Sequence, residues 1–338
     1  MKNSYCLHLF FIMFFLNLSA KKSRPKVQVK FVKGIKSAHQ RKLQEREKFE
    51  KIQQKELLKL QQKNNPASLR DQLKKIRPST EKLIYIIITG KNHSDWYKKN
   101  LDSVMTQKYS NFHVIYLLDT SSSDVPDYIQ AYIQEKKLGD KITLIHNTQE
   151  QNNLENIYHA VSLCPDNAIV TICNSNDWYE NRDVLTLFNK IYEDKNVWLT
   201  YGSFTNSIRK PGLSAPCKKI PKAIVLKRSF RTYRWVVGQP QTFYAWLFKR
   251  IKKEDLMING EFFKIPDAQE RAIMYPLLEM AGHRFKFIPD NIYIHNSEVC
   301  NISVTRTMPD EFEKYYVNIL QERKKYDFLK NSGIAHDL

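Results

Sequence analysis

Along the chain the apolar positions keep two alternating rhythms. Short, nearly unbroken apolar runs occur at Leu83 to Thr89, His113 to Leu118, Ile142 to His146, Ala168 to Cys173 and Val197 to Tyr201. Runs of this length, rich in β-branched residues and bounded by turn formers, predict strands covered on both faces of a sheet. Between them, apolar residues recur at helical spacing over Trp96 to Met105, Val125 to Lys137, Asn152 to Ala160 and Val184 to Ile191. Strands alternating with such helices predict an α/β fold, a mainly parallel sheet flanked by helices. Pro309 to Lys330 reads as a terminal helix with Phe312, Tyr316, Ile319 and Leu320 on its apolar face.

Ahead of this alternation the pattern changes. Met1 to Ala20 carries Lys2, the apolar run Tyr5 to Leu16 and a small-residue end at Ser19-Ala20. This arrangement reads as a signal peptide, and the run is shorter than the roughly 18 residues that a spanning helix needs. Lys21, Lys22, Arg24 and Lys26 follow at once, and positive charge beside an apolar segment favours the cytoplasmic side, so a short uncleaved anchor is the alternative. The chain is thus expected to be exported or membrane-associated. Residues 21–80 hold 19 Lys/Arg against 5 Asp/Glu, whereas residues 81–338 hold 34 against 30. Ser37 to Gln62, free of Gly and Pro, predicts a solvated helix. A basic stem of this kind suits an anionic membrane surface. Nucleic acid is not the expected partner, because aromatic side chains do not interleave the basic ones densely enough for stacking on bases. The expected order is signal or anchor (1–20), basic helical stem (21–80), α/β domain (81–300) and C-terminal helical extension (301–338).

The five cysteines are scattered without a CxxC pair or a Cys/His cluster, which argues against a disulfide framework and a zinc site. No GxGxxG or Walker lysine motif follows any strand, so dinucleotide oxidoreductases and P-loop enzymes have no support. The chemistry gathers in the turn Asn174-Ser175-Asn176-Asp177-Trp178, at the carboxyl end of the run Ala168 to Cys173. Open α/β sheets bind ligands beyond the carboxyl ends of their strands.

That turn, with Tyr201-Gly202 at the next strand, resembles glycosyltransferase family 2, whose equivalent segment usually reads Asp-Gly-Asp-Asp-Trp before a helix and a Tyr-Gly strand end. Other segments are similar: Leu118-Asp119-Thr120-Ser121 to an Asp-Asp-x-Ser strand end, Asn152-Asn153 to an Asn-rich helix start, and Thr242 to Lys249 to a Thr-Phe-Tyr/Lys-x-x-Leu-Phe helix. Tyr275 to Gly282 is similar to Phe-Pro-Met-Leu-Glu-Met-Ala-Gly, and Phe285 to Pro289 with Ile292 to Asn296 to two closing strands. The resemblance covers about residues 82 to 297.

It implies a GT-A fold and a nucleotide sugar as donor. Thr89, Asn92, Asp119 and Asn153 would hold the nucleoside, and Asn174, Asn176 and Asp177 the diphosphate. A divalent metal, Mn or Mg, is implied on Asp177 and Asn176. Amides stand at two positions where the family has carboxylates, and they bring no charge to compensate such a cation. The general base implied near the start of the helix from Pro266 is Glu270, with Asp267 one turn earlier. Asp-x-x-Glu is equally a capping-box spacing, with Asp267 as cap and Glu270 reaching back. Lys227, Arg228, Arg231 and Arg234 are candidates for the diphosphate, set against a plain exposed loop. The implied function is inverting transfer of a sugar to a cell-surface glycan or glycoconjugate. The alternative is a catalytically impaired sugar-nucleotide- or glycan-binding protein of the same fold.

Overall fold

The computed structural model describes residues 81–90, 96–118, 125–147, 149, 151–208, 217–300 and 310–332. The expected signal or anchor segment and the basic stem lie outside the described residues, as do Asn92 and Asp119. Strands β1 (Ile84–Thr89), β2 (Phe112–Leu118), β3 (Ile142–His146) and β4 (Ile169–Asn174) run parallel in the order β3-β2-β1-β4. Parallel neighbours need long crossovers, and α1 (Tyr97–Met105), α2 (Val125–Glu135) and α3 (Asn153–Leu163) supply them. Then come β5 (Trp178–Tyr179), α4 (Val184–Tyr192), β6 (Leu199–Asn206), α5 (Lys222–Leu226), β7 (Thr242–Tyr244) and α6 (Ala245–Phe248). A small hairpin, β8 (Met257–Ile258) and β9 (Glu261–Phe262), turns on Asn259 and Gly260, both at positive φ. It leads to α7 (Pro266–Ala281), β10 (Phe285–His295), α8 (Ser297–Cys300) and α9 (Asp310–Glu322).

The eight-stranded sheet has the order β3-β2-β1-β4-β7-β6-β10-β5. Only β7, antiparallel to β4 and β6, and β5, antiparallel to β10, break the parallel run. Alternate side chains of β1 serve opposite faces, as strand geometry requires. Ile84, Ile86 and Ile88 join the layer of α1, α2 and α4 through Leu101, Ile129 and Phe188. Ile87 joins the layer of α3 and α7 through Leu154 and Leu277. Cover on both faces is why the strands read as continuous apolar runs. Among the described residues, no helix is long and apolar enough to cross a membrane.

Three expectations change. The helix expected over Thr242 to Lys249 is a strand followed by a single turn, because Thr242 and Phe243 fill a gap between β4 and β6. Thr242 Oγ1 bonds the Tyr192 hydroxyl at 2.9 Å and Thr200 Oγ1 at 2.7 Å inside that gap. The two closing strands are one, β10, whose pairing with β6 is irregular between Phe287 and Tyr293. Pro289 falls in that stretch, and proline in a sheet belongs at such irregularities.

The terminal helix stops at Glu322 instead of running to Lys330. A helix end leaves carbonyls without partners, and Arg231 takes two of them through Nη1, Leu320 at 2.7 Å and Arg323 at 3.2 Å. From there the chain lies against α7 and the turn that follows it: Tyr326 N–H donates to Glu279 Oε2 at 3.0 Å and Leu329 N–H to the Met280 carbonyl at 2.9 Å. Arg284 donates to the carbonyls of Leu329 and Lys330. Arg231 is therefore a structural residue and not a diphosphate ligand. Its guanidinium forks onto Glu279, Nε to Oε1 at 2.6 Å and Nη2 to Oε2 at 2.8 Å, with both side chains buried. Removing one member of a buried pair strands the other charge, so Arg231→Leu should cost about 3–5 kcal/mol. Urea denaturation of the purified variant, read as a lower midpoint, checks this.

Candidate active site

The turn after β4 is built around one carboxylate. Asp177 is 2 % exposed, and a buried charge persists only where donors surround it. Tyr293 OH donates to Oδ2 at 2.7 Å and Asn174 Nδ2 at 3.0 Å, while Asn296 N–H donates to Oδ1 at 2.8 Å. His295 Nδ1 lies 3.3 Å from Oδ1. Asn100, buried on α1, ties the turn's backbone from the other side, Nδ2 donating to the carbonyls of Asn174 at 3.0 Å and Asp177 at 2.7 Å. Nothing in the local sequence marks Asn100, because its partners lie more than seventy residues on.

The ends of β1 and β4 meet closely here. Ser175 N–H donates to the Thr89 carbonyl at 2.9 Å, and Gly90 has φ 144°. A Cβ at Gly90 would stand 2.6 Å from Ser175 Oγ, so only glycine fits. Thr89 Oγ1, Ser175 Oγ, Asn176 Oδ1 and Asn296 Nδ2 are buried in this region without hydrogen-bond partners among the described residues. They are two hydroxyls, a carbonyl oxygen and an amide N–H, a mixture of uncharged donors and acceptors. Such a set suits a polar ligand better than a divalent cation, which needs several oxygen ligands and negative charge. Both oxygens of Asp177 are already engaged, and the described residues contain no cluster of three or more His, Cys, Asp or Glu. The described residues at this turn do not fit a firmly bound metal.

A second carboxylate stands at the same edge of the sheet. Antiparallel pairing of β7 with β4 sets Thr242, the start of β7, opposite Thr171 midway along β4, and Gln241 immediately precedes β7 on the side of the β4 carboxyl end. Glu270, on the first turns of α7, accepts from Gln241 Nε2 on Oε1 and from Trp235 Nε1 on Oε2, the latter at 3.0 Å. Burial raises its pKa to about 7, the Asp267 charge adds to the rise, and the Trp235 and Gln241 hydrogen bonds and Arg271 oppose it. The capping box does not form. The helix opens with Pro266, the cap position is Ile265 with no side-chain bond, and Asp267 is exposed and pairs with Arg271 at 3.4 Å. Proline at the first position already dispenses with one N–H, and Glu270 is drawn to Trp235 and Gln241 instead.

Asn153 opens α3 at the carboxyl side of β3, after Asn152, whose side chain accepts from Leu154 N–H at 2.8 Å. Asn152 also receives Gln269 Nε2 at 3.0 Å, and Asn153 Nδ2 reaches Gln269 Oε1 at 3.4 Å, joining α3 to the start of α7. Thr89, Asn153, the turn 174–177 and Glu270 thus share the carboxyl edge of the sheet. Arg228 is turned elsewhere, to the Tyr326 carbonyl.

An α/β enzyme with buried, uncharged polar atoms at the strand ends and a carboxylate of raised pKa at the same edge of the sheet is the class these features define. The sequence profile of Glycosyl transferase family 2 matches residues 85–253, half of the chain, and the chain belongs to that family. No curated protein matches it. Among solved structures, the mannosyltransferase PcManGT of Pyrobaculum calidifontis, solved with GDP-Man and Mn2+, shares 18 % identity at a TM-score of 0.45, over 64 % of this chain and 58 % of that one. Residues 1–349 of S. aureus TarS share 13 % identity at a TM-score of 0.48, over 70 % of each chain. The same TarS segment in complex with UDP-GlcNAc shares 12 % at 0.46, over 63 % of this chain and 58 % of that one.

A carboxyl whose pKa is raised by folding binds its proton more tightly in the folded state, so its ionisation opposes folding. Stability should therefore fall as pH rises from the ordinary value of 4.5 through about 7. Glu270→Gln should remove that part of the slope and leave the variant the more stable protein at about pH 8. Denaturation midpoints of both proteins across this range check the sign.

Proposed function

We propose that the chain transfers a sugar from a nucleotide-sugar donor to a hydroxyl of a glycan or glycoconjugate, with inversion, and that Glu270 is the general base. The observation that carries this reading is Glu270 at the carboxyl edge of the sheet, held by neutral donors from Trp235 and Gln241 and with its pKa raised to about 7. A base works best when its pKa lies near the operating pH. Thr89, Asn92, Asp119 and Asn153 take the nucleoside, and the amides and hydroxyls of the turn 174–177 face the diphosphate. Glu270 receives the acceptor proton as the acceptor oxygen bonds to the anomeric carbon, and the bond from that carbon to the nucleoside diphosphate breaks on the opposite face. Asp177 serves by shaping the turn, and Asp267 by its charge beside Glu270. The apolar amino terminus and basic stem support export or membrane association, with the stem against an anionic surface.

A second reading, donor or glycan binding without turnover, is favoured by the amides at positions 174 and 176. Calorimetry with UDP-GlcNAc and GDP-mannose, each with and without manganese, is paired with release of UDP or GDP. Under the first reading Glu270→Gln binds donor within about twofold of wild type and loses turnover by about 10²-fold or more. Donor binding by a wild type that never releases product supports the second reading. Wild-type-like turnover in Glu270→Gln removes the base role.

A further inference from the structure

Glu270 receives one neutral donor on each carboxylate oxygen, and both donors are themselves fixed. The Trp235 indole stands edge-on to Tyr275, ring centroids 5.3 Å apart at 84°, and carries the Arg271 guanidinium over its face at 4.7 Å. Tyr275 and Arg271 belong to α7, the helix of Glu270 itself. Gln241 is 1 % exposed, and its N–H donates to Gln239 Oε1 at 3.1 Å. A carboxylate oxygen has two lone-pair sites, so a single donor on each leaves room for a further proton. Cationic donors in these places would hold the carboxylate in its charged form and weaken it as a base. An indole and a carboxamide orient it while adding no charge.

We propose that Trp235 and Gln241 are positioning residues, a neutral two-point clamp that fixes the Glu270 carboxylate so that its remaining lone pairs are presented to the acceptor hydroxyl. This rests on the base role of Glu270. The charged or titratable groups beside Glu270 are Asp267 and Arg271 on α7 and Cys217 in the segment before α5, whose thiol responds to the Glu270 charge. None of them supplies either clamp bond.

The clamp gives Glu270 a built-in reporter, the indole N–H of Trp235. In the full chain carrying nitrogen-labelled tryptophan, the five indole resonances are followed across about pH 5 to 9. Trp235→Phe, which keeps a ring in place, assigns the resonance by its loss. The Trp235 signal should titrate with a midpoint near 7 and stop titrating in Glu270→Gln. Gln241→Met withdraws one donor from the charged form and should raise the midpoint by about one unit, with kcat lowered more than KM is changed. A Trp235 signal that does not titrate in wild type, or that titrates unchanged in Glu270→Gln, overturns the clamp, as does an unmoved midpoint in a folded Gln241→Met. If the signal titrates as expected but Glu270→Gln turns over donor like wild type, the clamp stands as geometry and its assignment to catalysis falls with the base role. A silent indole in a protein that loses turnover on Glu270→Gln sinks the clamp alone.

Discussion

A buried carboxylate that must be surrounded by donors fixes the working edge of this protein. Asp177 draws Tyr293, His295 and Asn296 from the far end of the sheet onto the turn after β4. Those residues lie more than a hundred positions along the chain, and the pairing of β5 with β10 follows the same closure. Leaving such a charge unpaired costs several kcal/mol, so the turn, β5 and the end of β10 form as one unit. The junction of β1 with β4 at Gly90 and Ser175 adds the opposite wall. The backbone of the turn is therefore held by its scaffold, with amides at 174 and 176 in place.

Charge is distributed unevenly around that edge. At the turn the one carboxylate accepts hydrogen bonds on both oxygens, and the unpartnered atoms are uncharged. At the start of α7 a second carboxylate has neutral donors and a like charge nearby, and its proton affinity is raised. The two acidic groups thus differ in their surroundings: Asp177 is ringed by donors that hold the turn together, and Glu270 has one neutral donor on each oxygen and the Asp267 charge nearby.

Much of the architecture was legible because period and composition report burial directly. The first four strands, the helices between them and the turn at 174–177 follow from apolar runs and helical spacing. What escaped depends on partners distant in sequence. Asn100 looks like any polar residue on a helix, and Arg231 looks like one of several loop arginines until Glu279 and the end of α9 meet it. Thr242 to Lys249 is similar to a family segment that is a helix, yet Thr242 to Tyr244 fill a place between β4 and β6 as a strand, which their residue types suit. Asp-x-x-Glu satisfies a capping pattern, but Trp235 and Gln241 offer Glu270 better donors than the helix end does. For the site, the register of Glu270 was readable, whereas its raised pKa and its two donors required the tertiary fold.

The pH dependence of kcat/KM for sugar transfer tests the base assignment most directly, since it reports ionisations of the free enzyme. With Glu270 as the base, the rate should climb about tenfold per pH unit on the acid side and level off near its pKa of about 7. A profile that stays flat through that region would contradict it.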